Sequence, residues 1–419
     1  MNKAKASEDS ILPETKTTKK RYFRVFFLLL NTLVWWYVAL GIVGILSDNI
    51  QATEVQNLGL LTTFYVSTIS SGIVGSFLSR GRSRDHIIYY WMGLGVIASL
   101  SPALLNTSFA QVLGACLFLG SSFGIGIPSS LAYFAEHTSI EARGRGGGTI
   151  FFFANVSAPL FYVSFGILDL AMGSVGLALW RGLGIIAFFL SGSSEPASSK
   201  EKRKTPFRSL FKNRAFVLYL LAWSMFCFVD RLNEPVLRNS FGENITSLIV
   251  TTAPFISGAS AFVGGLLCDW IGRKRIVIYG FISMGISYAL IGIFPENPIS
   301  GYFYAAVDGV AWGLFMVAFV LIIWGDLAPT GLVEAYYMIG SIPFFVTDLT
   351  KIAAAPYVTQ IPEYATFSLA TFLLFFAVLP LMYAPETLPE KKIELRRLRK
   401  YVQKAKKISE EYSGENAEN

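Results

Sequence analysis

Apolar runs of about 20 residues recur from residue 23 to residue 383, and a run of that length with few charges is what an α-helix needs to cross a bilayer. The runs fall near 23–46, 58–79, 86–104, 109–134, 147–169, 176–193, 214–236, 246–268, 275–294, 302–325, 331–356 and 363–383. They are about twice the length of a tilted barrel strand and show no strict alternation, which argues against a β-barrel. Backbone groups in lipid must bond within their own segment, so a helix bundle is the spanning structure that remains. The expected fold class is an all-α membrane protein of twelve transmembrane helices. With 53% hydrophobic and only 15% charged residues, and a mean hydropathy of +0.51, the chain is far from the soluble mixture.

A net charge of +7 would suggest nucleic acid in a soluble protein, so the position of the charges has to decide their meaning. Of the 35 Lys and Arg residues, 31 sit in the N-terminal tail, at 80–84, 143–145, 200–214 and 273–275, and in the C-terminal tail. These are alternate connections. The opposite loops hold Arg238 and, at a helix edge, Arg181. The positive-inside rule then predicts both termini in the cytoplasm of a cell-membrane protein with an even number of spans. Short basic collars of this kind point to lipid headgroups rather than to nucleic acid. The stretch from Met1 to Lys20 is polar and precedes a run too long for a cleaved signal, so the first helix is expected to stay.

The longest interior polar stretch, rich in Ser, Lys and Arg, divides the spans six and six. The expected organisation is a cytoplasmic tail 1–22, a six-helix bundle 23–193, a linker 194–213, a second bundle 214–383 and a basic tail 384–419. The linker's end, Pro206 to Arg214, is expected to lie as a short surface helix with Phe207, Leu210 and Phe211 inward. Two features repeat at one offset. Gly75-Ser-Phe-Leu-Ser-Arg closes the second run as Gly265-Leu-Leu-Cys-Asp-Trp closes the eighth, and Glu136 ends the fourth as Asp326 ends the tenth, with the same sequence separation in both cases. A parallel repeat with two pseudo-symmetric bundles follows, a plan in which sites lie at the repeat interface.

Gly265-Leu-Leu-Cys-Asp269-Trp-Ile-Gly272-Arg273-Lys274-Arg275 resembles the G-x-L-x-D-x-x-G-R-[KR]-[KR] loop of the major facilitator superfamily. Glu136, Arg143 and Gly144 are similar to the E-x6-R-G motif of its sugar-porter-like branches. Pro385-Glu386-Thr387 resembles their closing segment, and Trp180-Arg181 a pair at the start of the sixth span. The resemblance implies the major facilitator fold, with Gly265, Asp269, Gly272, Arg273, Arg275, Glu136 and Arg143 acting as a conformational latch. The chain departs from the pattern at Ser79 and Arg82 in the first copy of the loop and at Val333, where the second half would carry its arginine. It also lacks a Gln-Leu-Ser in span 7 and an acidic residue in span 1.

Charge at bilayer depth is expensive, so ionisable residues inside spans are functional candidates. Span 7 carries Asp230, Arg231 and Glu234, span 10 carries Asp308, and span 11 carries Asp348 and Lys351. All are expected in the outer half of the membrane, with Asp230 and Glu234 sharing a face and Pro235 breaking the helix beyond them. Paired structural ions or an external gate, with Asp230 paired to Arg231 and Asp348 to Lys351, are the competing account for those four. The resemblance implies that spans 1, 4, 7 and 10 line the cavity. A carboxyl in a low-dielectric site can exchange protons near neutral pH, which makes Asp308 the first candidate for coupling. Trp312 lies one turn from it. The first half offers Asn31, Trp35 and Asn155 as uncharged pathway residues. Gly124, Gly126 and Pro128 in span 4 are candidates for a bend or for close packing.

Neither histidine has a catalytic partner at a recognisable spacing, and no phosphate-binding G-x-x-x-x-G-K-[ST] loop occurs. No cofactor or metal is expected, and Cys116, Cys227 and Cys268 read as buried apolar residues. The expectation is a non-enzymatic, monomeric secondary transporter or symporter for a small organic solute, working by alternating access with protons as the candidate coupling ion and the lipid bilayer as its surroundings. An exporter of amphipathic compounds, or a receptor or assembly partner built like a transporter, stands as the alternative.

Overall fold

The structure is a computed structural model that describes residues 19–79, 83–167, 170–192, 207–295 and 297–389. Most of the N-terminal tail, Arg80 and Arg82, most of the linker and the basic C-terminal tail lie outside the described residues. Helices stand at all twelve apolar runs. They are α1 (Lys19–Asn49), α2 (Glu54–Leu78), α3 (Arg84–Leu104), α4 (Phe109–His137), α5 (Arg143–Ile167) and α6 (Leu170–Leu190), then α7 (Arg214–Gly242), α8 (Thr246–Ile271), α9 (Arg273–Ile293), α10 (Pro298–Leu327), α11 (Val333–Val358) and α12 (Glu363–Tyr383). Eleven of them, all but α5, are long and apolar enough to cross a membrane by length and composition. No strand occurs among the described residues.

Helix starts follow capping chemistry. Thr53, Ser108, Asn213 and Asn297 each place a side-chain oxygen on the free N–H groups of the following turn, and Thr53 forms a full capping box with Gln56. Helix ends correct the sequence reading in three places. α7 runs through Pro235 and breaks further on at Gly242, whose φ of +69° is costly for any residue with a Cβ. Arg238 is therefore helical rather than in a loop. α6 begins at Leu170, which moves Arg181 from a helix edge into mid-helix. The linker's end forms a 3₁₀ turn, Phe207–Lys212, in which Leu210 is buried but Phe211 is exposed.

The chain divides into two compact units, one of residues 1–146, 153–205 and 329–339, the other of 147–152, 206–328 and 340–419. In the first unit α2 packs on α4 at Gly75, Gly120 and Gly124, where a Cβ would meet the carbonyls of Ile125, Phe64 and Thr68. In the second unit α8 packs on α10 at Gly309 and Gly313. Each unit includes a short segment from the other half of the sequence. Within the first, Gly72 of α2 abuts Met338, and within the second, Gly148 abuts Phe262 of α8. Gly72 and Phe262 stand at the same separation as Gly75 and Gly265, and so do Gly148 and Met338, so one contact is the image of the other under the repeat read from sequence.

Candidate functional site

A carboxyl pair is buried within the second unit. Asp230 on α7 and Asp308 on α10 are 5% and 7% exposed, and the two carboxyls are close enough to act on each other electrostatically. Tyr304, Asp308 and Trp312 are spaced i, i+4, i+8, so α10 presents them as one stripe. Two of them serve Asp230, with Trp312 Nε1 donating to Oδ2 at 3.0 Å and Tyr304 Oη to Oδ1 at 3.4 Å. Tyr288 of α9 extends the chain through a 3.3 Å contact with Tyr304 Oη. Asp308 Oδ1 is buried without a hydrogen-bond partner among the described residues. Past the stripe, α10 widens into a π-helix over Met316–Ile323, a form often found beside functional sites.

One turn along α7 an ion network ties that helix to α11. Arg231 Nε lies 3.1 Å from Asp348 Oδ1 and its Nη1 3.3 Å from Glu234 Oε2. Lys351 Nζ donates to both Glu234 oxygens at 3.0 Å, and the Arg231 guanidinium lies 4.6 Å from the Trp312 ring centroid. The salt bridges therefore include Arg231 with Asp348 and Lys351 with Glu234, pairs that cross between helices, rather than only neighbours on one helix as the sequence suggested. That choice follows from the facing of α7 and α11, which a single-helix spacing does not contain.

Asp269, Gly272 and Arg273 of the second half, for which a latch role is expected from the sequence, lie together where α8 ends and α9 begins. Arg273 is fully buried, 3.4 Å from Asp269 and 3.2 Å from Asp326, each 1% exposed. Glu386 accepts from the backbone N–H groups of Arg273 and Lys274 at 2.9 and 3.2 Å, an acidic cap on the N-terminus of α9. Gly272, with φ +114°, lies where a Cβ would strike that carboxylate. Gly272→Ala is accordingly expected to cost about 1–3 kcal/mol through backbone strain and the displaced cap, read as a lower unfolding midpoint of the purified protein. Gly265 is buried on α8, while Arg275 is exposed.

The corresponding end of the first half carries different contacts. Ser79, which replaces the acidic residue, bonds Ser129 Oγ at 2.6 Å. Glu136 pairs with Arg84, and Arg84 also reaches Glu334, its Nε 3.1 Å from Oε1, all within the first unit. Arg143 donates to the Ala135 carbonyl and to Thr138 Oγ1. Asn31 bridges α1 to α6, its Nδ2 donating to the Trp180 carbonyl at 2.6 Å and its Oδ1 accepting from Arg181 at 2.9 Å. The Arg181 guanidinium sits 4.1 Å from the centroid of Trp91 and 5.5 Å from that of Trp35, whose Nε1 donates to Ser99. Asn155 is buried on α5. Asn31, Trp35 and Asn155 thus belong to the first unit and the charged set to the second.

No protein-family model and no curated protein matches the sequence. Solved structures do. The major facilitator proton:xylose symporter XylE, bound to 6-bromo-6-deoxy-D-glucose, superposes with a TM-score of 0.72 at 14% identity over 88% of this chain and 97% of its own. The human organic anion transporter MFSD10 superposes with a TM-score of 0.62 at 16% identity over 87% of this chain and 99% of its own. The chain has the major facilitator fold. It is a membrane protein of many spans.

Within this major facilitator fold, several residues that the structure brings together escaped the sequence reading. Tyr304 was findable, because it stands one turn before Asp308 on the stripe that also holds Trp312. Arg84 and Glu334 were not, since each reads alone as a charge at a helix start. Tyr288 is one aromatic among many in an apolar helix. Cys116, Cys227 and Cys268 are buried free thiols, as expected.

Proposed function

We propose that the chain is a secondary transporter of a small organic solute that works by alternating access, with Asp230 and Asp308 as its proton-coupling pair. The carrying observation is the burial of these two carboxyls side by side, one of them with an unpartnered oxygen. Two neighbouring buried carboxylates repel each other, so the pair favours binding a proton, and gaining or losing it changes the charge of a site where charge is costly. Tyr304 and Trp312 hold Asp230 in place, Tyr288 supports Tyr304, and the Arg231–Glu234–Lys351–Asp348 network holds α7 to α11 beside them. A proton:xylose symporter and an organic anion transporter share the fold, which makes sugars and organic anions the first solutes to try. Both termini and the two latch clusters, Arg84–Glu136–Glu334 and Asp269–Arg273–Asp326–Glu386, are assigned to the cytoplasmic side of the cell membrane by the positive collars.

The test is uptake into liposomes holding the purified protein, with an imposed pH gradient and a panel of sugars and organic anions. Wild type is expected to accumulate one class uphill. Asp308→Asn keeps the shape and removes the titratable proton, so downhill flux persists while accumulation collapses to equilibration. Uphill uptake that stays proton-linked in Asp308→Asn would overturn the coupling assignment, and ligand binding without any flux would favour a receptor.

A further inference from the structure

Between α1 and α6 in the first unit lies a groove of about 690 Å³ that the transport reading does not use. Its walls are apolar, with Phe23, Phe27 and Leu30 on α1 and Leu183, Ile186 and Leu190 on α6. Phe23, Leu183 and Leu190 are 50%, 59% and 72% exposed, so the groove opens outward to the hydrocarbon. Its closed end is Asn31 with Trp180, whose polar atoms are consumed by each other. Asn31 Nδ2 donates to the Trp180 carbonyl, Trp180 Nε1 donates to the Asn31 carbonyl, and Asn31 Oδ1 accepts from Arg181. Gly184 permits this, since a Cβ there would overlap the Asn31 side chain. A small polar solute would find nothing to orient it here.

The other end carries charge. Lys20 lies at the mouth, its Nζ beside Gly192 just past α6, and makes no ion pair among the described residues. From Lys20 to Asn31 the helix rises about 16 Å, close to the roughly 15 Å of hydrocarbon in one leaflet. The groove therefore runs from headgroup level to the bilayer midplane, apolar along its length and cationic at its mouth. We propose that it binds one acyl chain of an anionic phospholipid from the leaflet at the N-terminal side, with the headgroup phosphate on Lys20. The lipid ties the start of α1 to the end of α6. Positive residues at that surface attract anionic lipid in any case, and the groove adds a seat for the chain.

The test uses the full-length protein, delipidated in neutral detergent, with phosphatidylglycerol, phosphatidylcholine, oleate or glycerol 3-phosphate added. Thermal unfolding and native mass spectrometry are the readouts. Phosphatidylglycerol is expected to stay bound and to raise the unfolding midpoint by about 2–4 °C more than phosphatidylcholine, with glycerol 3-phosphate inert. Lys20→Gln should erase that difference. Ala187→Trp, or the smaller Ala187→Phe if the first does not fold, fills the groove and should remove the bound lipid altogether, while Lys212→Gln at an exposed position leaves both effects intact. Equal effects of the two phospholipids, an undiminished preference in Lys20→Gln, the same loss in Lys212→Gln, or oleate matching phosphatidylglycerol would each overturn the proposal.

Discussion

Arg273→Ala is expected to lower stability by about 3–5 kcal/mol, among the largest losses available from one side chain in this protein. Arg273 is 0% exposed and lies between Asp269 and Asp326, both 1% exposed. Removing it leaves two carboxylates buried and mutually repelling, and that uncompensated charge, rather than the lost attraction, dominates the cost. Heating of the detergent-purified protein, followed by size-exclusion recovery, should show a midpoint about 3–6 °C lower. Arg275→Ala, slightly further along α9 at an exposed site, is the control and should change the midpoint little. Equal behaviour of the two variants would show that the Arg273 cluster is not what holds α8, α9 and α10 together at that end.

A second pair of substitutions tests helix contact by sign. Gly75→Ala should destabilise by about 1–3 kcal/mol, because the new methyl would meet the Ile125 backbone carbonyl of α4, and a backbone has little room to yield. Gly124→Val, against the Thr68 carbonyl, should cost more and reduce the yield of monodisperse protein. Gly44→Ala has no atom within 4 Å of its new methyl and should instead stabilise by about 0.5–1 kcal/mol, since alanine restricts the unfolded chain and favours helix. The same chemical change thus carries opposite signs. Where lipid offers no hydrophobic gain for bringing helices together, close fit is what holds them, and glycine at the seam sets that fit.

The carboxyl pair bears on how far a helical pattern can be trusted. On α10, Tyr304, Asp308 and Trp312 fall on one face by counting alone, and Asp230 with Glu234 falls on one face of α7. Counting stops there. It cannot say that Trp312 donates to Asp230, or that Arg231 bridges to Asp348. Pro235 shows the reverse error, because a strong local rule placed the break there while α7 continues to Gly242. Neighbouring helices in a bundle can absorb a proline's missing hydrogen bond, and a positive φ at glycine is what ended the helix.

The sequence by itself determined that the chain is a membrane bundle with helices at twelve apolar runs and that two features repeat at one fixed offset, Gly75 to Gly265 and Glu136 to Asp326. Both are properties of segments against their solvent or against each other's pattern. An apolar run of about 20 residues has one good solution in lipid, whatever its neighbours are, and a repeat is visible without knowing what touches what. Only the tertiary structure decided the pairings. Glu136 pairs with Arg84, the first two turns of α11 join the first unit, and Asp308 lies beside Asp230. An ion pair or a shared proton depends on two atoms within about 3 Å. That distance is set by how several helices pack at once, and no single run of residues contains it.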